Sequence, residues 1–324
     1  MWWTTDQGET EPLSGGLDWG FMDRLRVGLI GWGTVGSALG ELVRHGPLPL
    51  TLACVAVRDL ARAGLPKGVK IGSAEAALEA DIVVELAGGV EGPLTWARQA
   101  LDRGKPYVTA NKALLATHGG ELARLAERRV AALLGSASVG GGTPMIETVI
   151  HLAATGAIER LRGIVNATTT YILSAMGEGR SYDEALREAQ EQGFAEADPS
   201  FDVEGRDAAQ KLAILASVAW GRWRPETDVD TTGIVGLPVS AGETVRLVAE
   251  ATQEALSVKP MPIDPADPLA RAAGIENVLE ISVTDAGVFR VSGPGAGGRV
   301  TASAVYADLA RLVAGERPIL FAVP

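Results

Sequence analysis

Two stretches of this 324-residue chain hold residue types at spacings that can do chemistry. The first is Gly31-Trp32-Gly33-Thr34-Val35-Gly36, directly after the apolar run from Leu25 to Ile30. In a glycine turn between a strand and a helix, the first glycine makes the tight turn and the second lets backbone approach a pyrophosphate. The third lets the helix pack closely, and the helix N-terminus offers free N–H groups to phosphate. With 40 glycines in the chain the triplet alone is a weak signal, so its strand-before, helix-after setting carries the dinucleotide reading. The second stretch runs through Glu196, Asp198, Asp202, Glu204 and Asp207 to Lys211. Carboxylates crowded in this way repel one another and call for a cation. Asp207 and Lys211 lie four apart, acid before base, the favourable order for an ion pair on one helix face. The plain reading is a solvated helix start with one ion pair. The chemical reading is a site where carboxylates hold a substrate ammonium while Lys211 handles a proton.

Two further positions bear on a cofactor. Lys112, in Thr109-Ala-Asn-Lys112, follows a short strand, which puts it at the carboxyl edge of a sheet where α/β ligand crevices lie. Arg58 follows the second strand and precedes Asp59. An arginine there accommodates the 2′-phosphate of NADP and an acid holds the ribose of NAD. The order favours NADP and leaves NAD open. His45, His118 and His151 show no metal-ligand spacing. Cys54 falls in an expected strand, so thiol nucleophile chemistry is not expected.

The elements that position these residues follow from hydrophobic period. Strands are expected at 25–30, 50–57, 81–86, 107–109 and 130–134, with helices at 34–44, 93–103 and 118–129. Alternation at this interval implies βαβ units and a parallel sheet. Beyond Gly142 a helix at 144–155 and a strand at 161–166 come first. A capping-box helix follows, opened by Ser181 with Glu184 and closed by Gly193. A helix at 207–220, a hairpin at 278–291 and a final helix at 301–313 complete the pattern. The fold class is therefore α/β: a Rossmann-type nucleotide domain at 25–145 and a second α+β domain at 146–298. A flexible tail is expected at 1–24, and the helical segment within 299–324 is expected to pack back on the first domain.

Bulk properties exclude several functions. The net charge of −11, with no Lys/Arg cluster, argues against nucleic acid. No apolar stretch is long enough for a membrane span, and no signal peptide is evident. A single cysteine forms no internal disulfide and suits the cytoplasm.

The ordered motifs resemble a known family across Arg26 to about Leu312. They are Gly31 to Gly36, Val108 to Leu115, Ala137 to Gly142, Gly163 to Thr169, Glu196 to Lys211, Gly293 to Gly298, and Thr301-Ala-Ser-Ala304. In these residues the chain resembles homoserine dehydrogenase. The resemblance implies reversible reduction of L-aspartate 4-semialdehyde to L-homoserine with NADPH or NADH, and a homodimer through the second domain. It implies Lys211 as proton donor, Glu196, Asp202 and Asp207 around the substrate, and Lys112 beside substrate and nicotinamide. Thr34, Val35, Gly193 and Gly295 would contact the cofactor. Val139, Gly141 and Thr143 would bind sodium through backbone carbonyls. The chain departs from the family at Ser136, where a glutamate is usual, at Ala167 and Thr170 in the Asn166 motif, and at Phe194. Only 26 residues follow Gly298, so the short form without a regulatory domain, insensitive to threonine, is expected. A reductase of another amino-acid semialdehyde is one alternative, separated by a substrate panel. A nucleotide-binding sensor is the other, and binding without turnover would mark it. Aspartate-semialdehyde dehydrogenase fits less well, because its reaction needs a cysteine nucleophile in the second domain.

Overall fold

The apolar run at 25–30 becomes β1 (Leu25–Ile30), whose last four residues are buried. After it come α1 (Thr34–His45), β2 (Leu50–Ala56), β3 (Ile71–Gly72), α2 (Ala74–Ala77) and β4 (Ile82–Glu85). Then follow α3 (Glu91–Asp102), β5 (Tyr107–Thr109), α4 (Lys112–Arg129) and β6 (Leu133–Leu134). These belong to a computed structural model that describes residues 23–57, 64–65, 68–272, 274 and 276–321. Residues 1–22 of the expected tail, together with Arg58 and Asp59, lie outside the described residues. The strands pair in parallel in the order β3-β2-β1-β4-β5-β6. The order reverses between β1 and β4, and the crevice at their carboxyl ends is where such sheets bind ligands. The expected doubly wound fold is the one observed.

Helix α4 starts at Lys112 rather than at the expected His118. Asn111 caps it by accepting the Leu114 N–H at 3.1 Å, so Lys112 sits in a helical first turn and not in a loop. Gly119 and Gly120 lie inside this helix because aromatic rings pack there. A Cβ on Gly120 would come within 2.8 Å of the Trp223 ring.

The second half comprises α5 (Met145–Thr155), β7 (Ile158–Ile164), α6 (Ala167–Gly177), α7 (Tyr182–Glu191), α8 (Ser200–Val203) and α9 (Arg206–Ala219). It continues through β8 (Val229–Thr231), β9 (Val245–Ala251), β10 (Leu256–Pro262), β11 (Glu276–Val283), β12 (Gly287–Pro294) and α10 (Gly298–Val313). Its sheet has the order β12-β11-β7-β9-β10-β8 and is antiparallel except for β10 with β8. Helix α9 is buried along most of its length and packs against α4, α5, β9 and β10. The capping box of α7 is formed as expected.

The second half also differs from the sequence reading. Strand β7 ends at Ile164, and Asn166 instead caps α6 by accepting the Thr169 N–H at 2.8 Å. Helix α6 was unanticipated because Thr168, Thr169 and Thr170 are β-branched, which suits strands better than helices. The β9–β10 hairpin was hidden by Pro260 and Pro262. They are tolerated because β8 pairs only with Leu256 to Val258, leaving the proline end of β10 at an edge.

Helix α10 packs on α1 and buries Ala302, Val305, Leu309 and Leu312. The Tyr306 hydroxyl accepts the Leu48 N–H at 3.1 Å. Beyond the helix, Ile319 pairs in parallel with Leu133, extending the first sheet. Asp308, 1% exposed, accepts the Ser136 N–H at 3.1 Å and the Ser136 hydroxyl at 2.7 Å. Among the described residues, no helix is long and apolar enough to cross a membrane.

Burial pushes the Asp308 carboxyl up to about 7, and nearby Glu147 adds to the rise. The bonds from Ser136 and the charge of Arg311 oppose it. An acid raised on folding keeps its proton where the unfolded chain has lost it. Stability should therefore fall as pH rises from 3.8 towards 7 and level off above. Asp308→Asn, similar in shape and uncharged, should flatten this slope and be at least as stable as wild type near pH 8. Thermal melts across pH 5 to 8 check this, and a slope equal to that of wild type contradicts it.

Candidate active site

The glycine turn does what its spacing implies. Gly31 has φ +106°, and a Cβ there would lie 2.6 Å from the Leu86 carbonyl carbon. A Cβ on Gly36 would collide with the Gly31 carbonyl oxygen. At Gly33 a Cβ would meet nothing within 4 Å. Two of the three glycines are thus fixed by the fold, and the third leaves room for an approaching ligand. Gly33 caps α1 without a side chain, and the first turn carries no acid, so its N–H groups suit phosphate. Gly31 and Gly33 line a groove of about 790 Å³ with Trp32, Val57, Ser73 and Trp96. Its size and its place at the strand ends fit a dinucleotide.

Beside it a second cavity of about 360 Å³ is lined by Thr34, Val35, Lys112, Gly141, Asp207, Lys211 and Gly295. Here the two halves of the chain meet. Lys211 Nζ lies 2.8 Å from Asp207 Oδ2 and donates to the Val165 carbonyl at 2.6 Å. Lys112 Nζ, from α4, lies 3.1 Å from Asp207 Oδ1. Asn166 Nδ2 donates to Asp207 Oδ2 at 2.8 Å and to Asp202 Oδ1 at 2.7 Å. Lys112 also sits 5.3 Å from the centre of the Phe201 ring. Burial by itself would raise the Asp207 carboxyl. The charges of Lys211 and Lys112, with hydrogen bonds from Lys211 and Asn166, outweigh it and hold the acid at about 2.

The cation that the acidic segment called for is therefore a pair of lysines on Asp207, and the other carboxylates are dispersed. Asp202 accepts from Asn166 and from the Thr168 hydroxyl at 2.9 Å, and lines neither cavity. Asp198 accepts the Ser200 N–H at 3.1 Å. Glu196 is exposed, lines neither cavity, and its carboxylate makes no hydrogen bond or ion pair among the described residues. Its backbone carbonyl accepts from Gln190. Gly193, at φ +77°, closes the turn after α7 and is exposed. Val139 and Thr143 are buried behind the 360 Å³ cavity, flanking Gly140 and Gly141, both left-handed. Arg58 lies outside the described residues.

Asn166, Thr168 and Glu85 were not singled out for a role by sequence. Asn166 and Thr168 carried a signal, a polar pair straight after an apolar strand. Only the fold shows that they bridge the strand end to the acidic segment.

A profile described as homoserine dehydrogenase matches residues 144–310, and one described as its NAD-binding domain matches residues 31–134. A homoserine dehydrogenase of Bacillus subtilis is 34% identical, over 91% of this chain and 74% of that protein. A solved homoserine dehydrogenase from Thiobacillus denitrificans superposes with a TM-score of 0.83 at 34% identity, covering 90% of this chain and 73% of the other. A hyperthermophilic archaeal homoserine dehydrogenase, solved in complex with NADPH, also gives 0.83 at 29% identity. There the match covers 91% of this chain and 99% of the other.

Proposed function

Because the chain belongs to the homoserine dehydrogenase family, which interconverts L-aspartate 4-semialdehyde and L-homoserine with a nicotinamide dinucleotide, we propose that Lys211 is its proton donor. The observation that carries this is the Lys211 ammonium at the cavity wall, with Asp207 and the Val165 carbonyl taking two of its three donor positions. The remaining N–H is free for a substrate oxygen.

The Gly33 turn and the α1 N-terminus would hold the pyrophosphate, and Thr34, Val35 and Gly295 would border the nicotinamide end. When bound, the nicotinamide supplies the hydride to the aldehyde carbon, or accepts it in the reverse direction. As the carbonyl oxygen gains negative charge, Lys211 stabilises it and delivers the proton that makes the alcohol. Lys112 adds a second positive charge at the same wall. Asp207 stays ionised throughout, fixing both lysines. The substrate's own ammonium needs a carboxylate that is not already spent. In this segment Glu196 and Glu204 have unengaged carboxylates among the described residues, and the resemblance points to Glu196. We assign it that role, with Asp202 holding the Asn166–Thr168 frame.

A monovalent cation at the Val139, Gly141 and Thr143 carbonyls is part of the proposal. It is supported by Asn277, whose Oδ1, an oxygen of the kind a sodium ion takes, is buried without a partner. Asn277 packs on Gly295, which in turn touches Gly141. Ser136 brings no carboxylate, so binding should be weak. Melting temperature should rise with sodium but not with a bulky organic cation at equal ionic strength, and equal curves remove the cation. For the dimer, the supporting feature is edge strand β12, where Val288 and Phe289 are exposed. A monomer in sedimentation equilibrium would end that reading.

Two substitutions separate the catalytic roles. Lys211→Ala should cost kcat about 10²–10⁴-fold while leaving NADPH affinity nearly intact. Glu196→Gln should raise KM for the amino-acid substrate more than it lowers kcat. Steady-state kinetics with L-homoserine and with the semialdehyde checks both. A loss below about tenfold in the first would move the proton to Lys112. An unchanged KM in the second would release Glu196 from the site.

A further inference from the structure

Glu85 ends β4, at the strand-order reversal, and its side chain is fully buried. A buried carboxylate is costly unless its oxygens are satisfied, and here each has donors from a different loop. Oε1 accepts the Ala87 N–H at 2.7 Å and the Gly88 N–H at 3.0 Å. Oε2 accepts the Thr109 hydroxyl at 2.7 Å. Thr109 Oγ1 in turn accepts the Asn111 N–H at 2.9 Å, and Asn111 Nδ2 donates to the Gly89 carbonyl at 2.6 Å. The bonds close a ring that starts and ends at Glu85 and spans two strand ends. One side of the ring is the loop Ala87-Gly88-Gly89, part of the wall of the 790 Å³ groove. Gly88 and Gly89 are both left-handed, at φ +72° and +81°, a conformation that needs holding in place. The other side is the turn that delivers Lys112 into α4, since Asn111 is the α4 cap.

We propose that Glu85 is a positioning residue, which ties the groove loop at Ala87–Gly89 to the Thr109–Lys112 turn and so sets Lys112 relative to bound cofactor. Lys112 spans from α4 to Asp207 on α9, and its reach depends on where α4 begins. The start of α4 is fixed by Asn111, and Asn111 is fixed by Thr109 and Gly89, both on the ring. A carboxamide could keep its oxygen on the Ala87 and Gly88 N–H groups but would have to donate to Thr109 Oγ1. That leaves the threonine proton and one amide proton without the partners that an ionised carboxylate supplies. Burial pushes the acid above the usual carboxylate range, and the hydrogen bonds from Thr109, Gly88, Ala87 and Asn111 offset only part of that rise. Asn111 also joins the two loops, through its bond to the Gly89 carbonyl, and it does so from within the same ring. The role rests on the reading of Lys112 as part of the reacting site.

The test uses Glu85→Gln, Thr109→Val, the pair together, and Lys112→Met. Each is measured for kcat at saturating substrates, KM for L-homoserine, and cofactor affinity through quenching of tryptophan fluorescence, since Trp32 and Trp96 line the groove. Thermal melts fix a temperature at which every variant is folded. Glu85→Gln should lower kcat about 10- to 100-fold and weaken cofactor binding severalfold, with KM for L-homoserine little changed. Thr109→Val should act in the same direction, and the pair should cost little more than Glu85→Gln alone, because both break one ring. Values of kcat and cofactor affinity within about twofold of wild type in both single variants, with only the melting temperature lowered, would overturn the proposal and leave Glu85 a purely structural residue. Lys112→Met at wild-type kcat would end the site reading and the proposal together. A large loss in Lys112→Met beside normal Glu85 and Thr109 variants overturns the positioning role alone.

Discussion

Lys112 comes from the first helix turn after β5, Lys211 from the middle of α9, and both ammonium groups end on the two oxygens of Asp207. Two ammonium groups gathered on one carboxylate repel each other, and the anion between them offsets that repulsion. Without the carboxylate, the two lysines would not share one cavity wall. The buried acid in turn depends on them, since removing one partner of a buried ion pair typically costs about 3–5 kcal/mol. The rest of the site is arranged to make this triad fit. Just past the end of β7 the Val165 carbonyl accepts from Lys211 and Asn166 donates to Asp207, and Asn166 at the same time caps α6 and reaches Asp202. One interaction therefore couples the nucleotide sheet, the acidic segment and the buried helix α9.

A second constraint is the return of the chain. Helix α10 lies on α1, and its Asp308 holds Ser136, at the start of the segment leading to Val139 and Gly141. The same helix begins at Gly298, beside Thr34, where a Cβ would collide with the threonine methyl. The glycine run before α10 is thus the passage by which the chain re-enters the nucleotide half without filling the cavity. Close approach explains Gly295 and Gly298. It does not explain Gly33, whose open space faces the groove and is left for a ligand.

The first half of the fold was legible because its signals are local. The strand–glycine–helix order at 25–36 and the short alternating units after it need no distant contact to be read. The second half was harder for physical reasons. Threonines that look strand-like make α6 because their hydroxyls bond to Asn166, Phe194 and Asp202. Prolines that forbid a central strand are allowed in β10 because its neighbour stops short. In the site, Asp207 and Lys211 were visible as an i,i+4 pair, and Lys112 as a lysine at a strand end. Their meeting was not visible, since it is a contact between α4 and α9. Glu85 was hidden for a similar reason. It reads as a residue inside the strand expected at 81–86, and its partners lie on two loops. Glu196 and Gly193 stand apart from the cavity, and their roles rest on the resemblance and on the free carboxylate.

Under the proposed function, Asp207 makes Lys112 and Lys211 a single catalytic unit. A double-mutant cycle on kcat for L-homoserine oxidation, with Lys112→Met, Lys211→Met and the double variant, tests it most directly. The account predicts strong non-additivity, with the double variant close to the worse single one, as for residues that act together. Costs that add in full, each lysine losing its own factor whether or not the other is present, would contradict it.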